Sequence, residues 1–238
     1  MEVVNERRMK PLNLLEYVHS LDDSRFDLAY PPEIRAKSSV HWTPAVIARR
    51  AAAFLVREPG TRVLDIGCGP GKFCIVGALT TNGKFTGVEQ RPHLCDLARS
   101  IIGQASIPNA EIILGNITEI EFSNFDAFYL YNPFVENMEP TCKIDRTVNL
   151  SEDLYEKYTE HVAQQLALAP LGTRVATYHG ICEEVPLGYT RLETSLGQDP
   201  ELKFWAKTQN HPVRTNSLEA TRLEHKLRSL ADAVQGIS

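Results

Sequence analysis

Apolar residues recur along the chain with two different periods. Ile47, Ala51, Phe54 and Leu55 fall at i, i+4, i+7 and i+8, which predicts a helix over 44–57. Thr43 is its expected N-cap, and Pro44 suits the first helical position. From the Pro59-Gly60 turn onward, short β-rich runs alternate with helical ones. Strands are expected at Thr61–Ile66, Lys84–Glu89, Glu111–Leu114, Asp126–Tyr131 and Thr173–Tyr178. Helices are expected from the glycine cluster to about Leu79, over 92–102 with Leu94, Ala98 and Ile101 inward, and over 151–168 with Leu154, Tyr158, Val162 and Leu166 aligned.

That alternation implies a parallel sheet covered on both faces. Tyr189–Leu196 and Leu202–Thr208 have no helix between them and read as an antiparallel hairpin at the sheet edge. The expected fold is therefore α/β, a doubly wound, seven-stranded, mostly parallel sheet. Before it, residues 1–40 read as an irregular lid, with a short helix near Pro11–Leu21 and a break at Tyr30-Pro31-Pro32. Residues 41–210 form the main domain. Residues 211–238 hold a last helix over 217–234, opened by Asn216 with Glu219 three residues on. Its stripe of Leu223, Leu227, Leu230 and Val234 packs on its own domain or makes a homodimer contact.

Composition narrows the function classes. The chain has 238 residues, 43% hydrophobic and 23% charged, which excludes a disordered protein. It contains no run of 18 apolar residues, so no membrane span is expected. Its charged N-terminus lacks an apolar h-region, which suggests a cytoplasmic protein. Five scattered cysteines (Cys68, Cys74, Cys95, Cys142, Cys182) make no CxxC pair and read as free thiols, with no clustered metal ligands. A net charge of −5 argues against binding through non-specific phosphate contacts.

The most informative segment is Val63-Leu64-Asp65-Ile66-Gly67-Cys68-Gly69-Pro70-Gly71, a strand running through three glycines into a helix. Glycines let backbone N–H groups approach a ligand, and the helix N-terminus favours negative charge. A P-loop fails, because Phe73 follows Lys72 and Ile66 stands where its first glycine belongs. The dinucleotide fingerprint fails at its third glycine, which is Lys72. The remaining pattern, an acidic residue followed by G-x-G-x-G, resembles motif I of the class I S-adenosylmethionine-dependent methyltransferases. Glu89 ends the second strand, 22 residues after Gly67, where that family places a ribose-binding acid. Gly115-Asn116 follows the third strand, where the family carries an adenine-binding Gly-Asp pair.

The resemblance covers about residues 42–208 and implies S-adenosylmethionine as cofactor. Gly67, Cys68, Gly69 and Gly71 would let the backbone approach its methionine moiety, and Asp65 would orient the ammonium. Glu89 would bind the ribose. Gln90, Asn116 and Ile117 would flank the adenine, Asn116 through its amide oxygen. His41-Trp42-Thr43-Pro44 is similar to the [FY]-x-T-P element of some amino-methyltransferases, which places Thr43, with Trp42 beside it, at the cofactor. Asn132-Pro133-Phe134 is similar to the [ND]-P-P-[YF] motif that holds an amine acceptor, with one proline missing. Asn132 is thus the expected acceptor ligand at the methyl, with Pro133 and Phe134 completing the catalytic segment. His179, just past the fifth strand, is a candidate proton acceptor or a structural histidine. The polar loop 134–150 and the N-terminal segment are expected to cover the acceptor pocket. The acceptor itself, a small molecule, a protein side chain or RNA, stays open. So do a non-catalytic S-adenosylmethionine-binding module acting through a partner protein and, third, an NAD-dependent oxidoreductase.

Overall fold

A computed structural model describes residues 22–139, 141, 143–196 and 199–211. The helices expected at 11–21 and 217–234, and the dimer contact assigned to the second, lie outside the described residues.

The sheet has seven strands: β1 (Arg62–Ile66), β2 (Lys84–Glu89), β3 (Ala110–Leu114), β4 (Ala127–Leu130), β5 (Arg174–Tyr178), β6 (Tyr189–Leu192) and β7 (Leu202–Lys207). Their spatial order is β3-β2-β1-β4-β5-β7-β6. The first five run parallel, while β7 pairs antiparallel with β5 and β6. This is the doubly wound sheet with an antiparallel edge hairpin that the sequence pattern predicts. Strand order reverses between β1 and β4, so a crevice opens at their carboxyl ends.

Four helices cover the sheet: α1 (Ala45–Leu55), α2 (Lys72–Thr80), α3 (Pro92–Gln104) and α4 (Glu152–Leu168). Val63, Phe85, Tyr129 and Ala176 point to one face and pack with α1, α2 and α3. Leu64, Val88, Phe128 and Val175 point to the other and pack with Tyr158, Val162 and Leu166 of α4. α2 is buried from Lys72 to Ala78, a helix enclosed on all sides rather than amphipathic.

Three local expectations change. Thr43 does not cap α1: its hydroxyl bonds the Tyr129 hydroxyl at 3.0 Å, and the Asp23 carboxylate accepts the Ala45 N–H at 2.8 Å instead. The segment before α1 folds into short turns, Asp23–Phe26, Asp27–Ala29, Pro32–Arg35 and Ser38–His41. Pro32 opens one of them, because a proline lacks only the N–H that a helix start leaves unpaired. Phe26, Tyr30, Ile34 and Trp42 from this segment join the α1–α3 core.

Candidate functional site

The glycine loop leaves β1 at the switch point. Gly67, Gly69 and Gly71 have φ of 76°, 53° and 77°, a region open to glycine and costly for other residues. The Gly67 and Cys68 N–H groups both donate to the Val88 carbonyl at 3.0 Å, tying the loop to β2. Gly71 starts α2, and a Cβ there would stand 3.0 Å from Ala98 Cβ of α3. Cys68 is buried, and its thiol fills the space beside Gly87.

A cavity of about 520 Å³ opens above this loop, of the size that small-molecule sites have. It brings together Gly67, Glu89, Gln90, Ile117, Asn132, Pro133 and Phe134 among the residues expected at the site. Glu89 is 6% exposed. Its Oε2 accepts the Gly69 N–H at 3.2 Å, and its Oε1 accepts the Gln90 and Arg91 N–H groups at 2.9 Å each. The carboxylate thus sits at the rim of the glycine loop, fixed by backbone donors.

Other expected residues do not themselves line the cavity. Asn116 opens a capping box: its amide oxygen accepts from the Thr118 N–H and hydroxyl at 3.0 and 2.9 Å. Its Nδ2 donates to Tyr158 Oη at 2.8 Å. That oxygen is committed to the turn and not presented to a ligand, while Gly115 and Ile117 on either side line the cavity. Asp65 is 3% exposed and accepts from the Cys74 thiol at 3.5 Å. Burial pushes its carboxyl up to about 8. Gly69 is covered by Trp42, and Thr43 is engaged with Tyr129 below.

At the end of β4, Asn132 is left-handed, with φ of 40°, and its side chain lies against Gly180. Pro133 touches Gly67: a Cβ on that glycine would stand 3.0 Å from Pro133 Cβ. Phe134 is 5% exposed and packs on Tyr158, ring centroids 5.5 Å apart. His179 also lines the cavity, with φ of 56°, and its Nδ1 lies 3.4 Å from Glu201 Oε2. Ile144, Val148 and Leu150 of the 134–150 loop form one wall, and Ser39, Val40, His41 and Trp42 another. Both segments expected to cover the pocket therefore border it.

Two cations escaped the sequence reading. Lys72, 2% exposed, pairs with Asp27 at 2.8 Å and Asp23 at 2.5 Å, fastening the N-terminal turns over the glycine loop. Arg91, 3% exposed, meets Glu89, Glu136 and Asp145. A lone lysine heading an apolar helix was the available signal for the first, and an arginine two residues after Glu89 for the second.

A doubly wound sheet with a glycine loop and a strand-end carboxylate at its switch point defines a Rossmann-like α/β protein. Residues 57–182, more than half the chain, match the family model described as a methyltransferase domain. The chain belongs to that family of methyltransferase domains, and S-adenosylmethionine is the cofactor that the family implies. No curated protein sequence matches it. Among solved structures it is similar to an RNA methyltransferase from Salinibacter ruber in complex with S-adenosyl-L-homocysteine, with 17% identity and a TM-score of 0.50, over 74% of this chain and 99% of that one. It is also similar to YcgJ from Bacillus subtilis (16%, TM-score 0.42, 55% and 49%) and to TrmN from Thermus thermophilus (17%, TM-score 0.45, 67% and 46%). This chain thus spans about half the length of the last two. The residues present fit the cofactor. Gly67 lines the cavity without a side chain, and Glu89 offers a fixed acceptor at its edge. No described helix is long and apolar enough to cross a membrane.

Proposed function

We propose that the chain methylates a nitrogen acceptor held at Asn132. The observation that carries this reading is the pose of Asn132: left-handed, at the carboxyl end of β4, one residue from the proline that touches Gly67. A left-handed asparagine is tolerated where a bulkier residue is not, and it turns the amide away from the strand. Its oxygen then accepts an N–H of the acceptor, which directs the nitrogen lone pair at the methyl.

When bound, S-adenosylmethionine supplies a sulfonium methyl that is already activated. The protein contributes position and exclusion of water. Glu89 would hold the ribose and the Gly67 backbone would meet the methionine end, while Asn132 aligns the acceptor and the walls from 39–42 and 144–150 shield the gap. Phe134 is turned into the core, so Tyr131 and His179, ring centroids 5.6 Å apart, supply the flat surface beside the acceptor. His179, held by Glu201, takes the proton that the nitrogen releases on forming its new bond.

The test offers radiolabelled cofactor with a panel of amines, amides, alcohols and thiols. Label should pass to a nitrogen. Asn132→Gly keeps the backbone pose and removes the amide, so kcat should fall about 10²-fold while S-adenosylhomocysteine affinity holds. Equal loss of both would place Asn132 at the cofactor. Transfer to oxygen or sulfur alone would overturn the reading.

A further inference from the structure

We infer that Arg91 is a positioning residue that ties the cofactor carboxylate to the loop over the acceptor. The inference rests on the reading of Glu89 as the cofactor's carboxylate. Arg91 directly precedes α3, and its guanidinium spends each nitrogen on a different acid. Nη1 faces Glu89 at 3.5 Å, Nη2 faces Glu136 at 2.8 Å, and Nε faces Asp145 at 3.1 Å. Its backbone N–H bonds the same Glu89 oxygen, so Arg91 grips that carboxylate from two sides.

Glu136 and Asp145 both belong to the 134–150 loop, near its two ends. Glu136 Oε2 also accepts the Ile144 N–H at 2.7 Å, closing the loop's arc. Asp145 further accepts from Thr147 and lies 3.3 Å from His93 Nε2. Lys37 donates to the Ile144 carbonyl, so the N-terminal wall hangs on the same loop. The planar fork of an arginine holds several oxygens in fixed directions, which a lysine cannot do. Without it, three carboxylates would face one another across a mostly buried space, and like charges there repel strongly. The loop would leave the cavity.

Two sites that share one contact are linked, and the linkage is reciprocal. A ligand that engages Glu89 therefore changes how firmly Arg91 holds the loop, and a seated loop changes how Glu89 is presented. Lys143 and Arg146 are exposed within this loop and report on it through trypsin cleavage.

Cleavage after Lys143 and Arg146 would be followed by mass spectrometry with and without saturating S-adenosylhomocysteine, with binding measured by calorimetry. In the wild type the ligand should slow cleavage about fivefold or more. In Arg91→Gln the ligand should still bind, more weakly, and the protection should vanish. Arg91→Lys should restore part of it. Should Arg91→Gln fail to fold, Glu136→Gln breaks the same tie from the loop side and should lose protection while binding the ligand about fivefold more weakly, as the reciprocal linkage requires. Full protection in these variants, or none in a wild type that binds the ligand, overturns the role of Arg91. A wild type that does not bind the ligand overturns the cofactor reading, and this inference with it.

Discussion

The indole of Trp42 lies directly on Gly69: a Cβ built on that glycine would stand 2.6 Å from Cζ3 of the ring. The ring is held there by its own Nε1, which donates to the Ile34 carbonyl at 2.9 Å. The tightest neighbour of the middle glycine of the loop is thus the N-terminal segment, and the protein's own wall selects for glycine there as firmly as a ligand would.

Gly69→Val should therefore cost stability as well as cofactor binding. Overpacking against Trp42 and a β-branched residue at φ of 53° together predict a loss of about 2–4 kcal/mol in urea unfolding. In a double-mutant cycle, Trp42→Ala should recover part of that loss. Strict additivity would mean that the indole is not what the new side chain meets. Undiminished S-adenosylhomocysteine affinity in Gly69→Val would contradict the placement of the cofactor on this loop.

Glu89 has a double task, and two substitutions separate its parts. Glu89→Ala removes the charge and leaves the Gly69, Gln90 and Arg91 N–H groups without their acceptor. Losing charge-assisted hydrogen bonds of about 1.5–3 kcal/mol should weaken S-adenosylhomocysteine binding about 10- to 100-fold by calorimetry. Glu89→Gln keeps an acceptor for the backbone donors and should fall between. Wild-type affinity in both variants would remove Glu89 from the site.

The parts of the fold legible in the sequence were those governed by short-range periodicity. Lys84–Glu89 appears over the span expected, and α4 (Glu152–Leu168) starts one residue inside the expected 151–168. The glycine loop and Glu89 were legible because backbone strain and strand-end position restrict residue type locally. Long-range partners were not. Nothing near Thr43 announces Tyr129, and nothing near Ala45 announces that Asp23 caps its helix from 22 positions away. The turn made by Asn116 was hidden for a related reason: an asparagine serves a turn and a ligand equally well, and its bonds to Thr118 show only in the fold. Nor does the sequence show how deeply Asp65 is buried.

That burial makes a pH prediction with a definite sign. The Asp65 carboxyl is raised to about 8, first by burial, against an ordinary value near 4 for an unfolded chain. Between those limits the folded state keeps a proton that the unfolded state has released. The folded state binds more protons, so stability should fall as pH rises from about 4 to about 8, by up to about 1.4 kcal/mol per pH unit from this group. Above the upper limit the effect levels off. Glu184, raised to about 7 by burial, acts in the same direction and adds its own slope. Asp65→Asn places a permanently neutral group of the same shape beside Cys74. It should flatten the curve by the Asp65 share and stabilise the protein most at the alkaline end, leaving the Glu184 share in place. Urea unfolding at intervals between about pH 5 and 8 measures both curves. A variant whose stability follows the wild-type curve throughout would show that Asp65 is ionised in the folded protein, as a charge for the cofactor's ammonium must be.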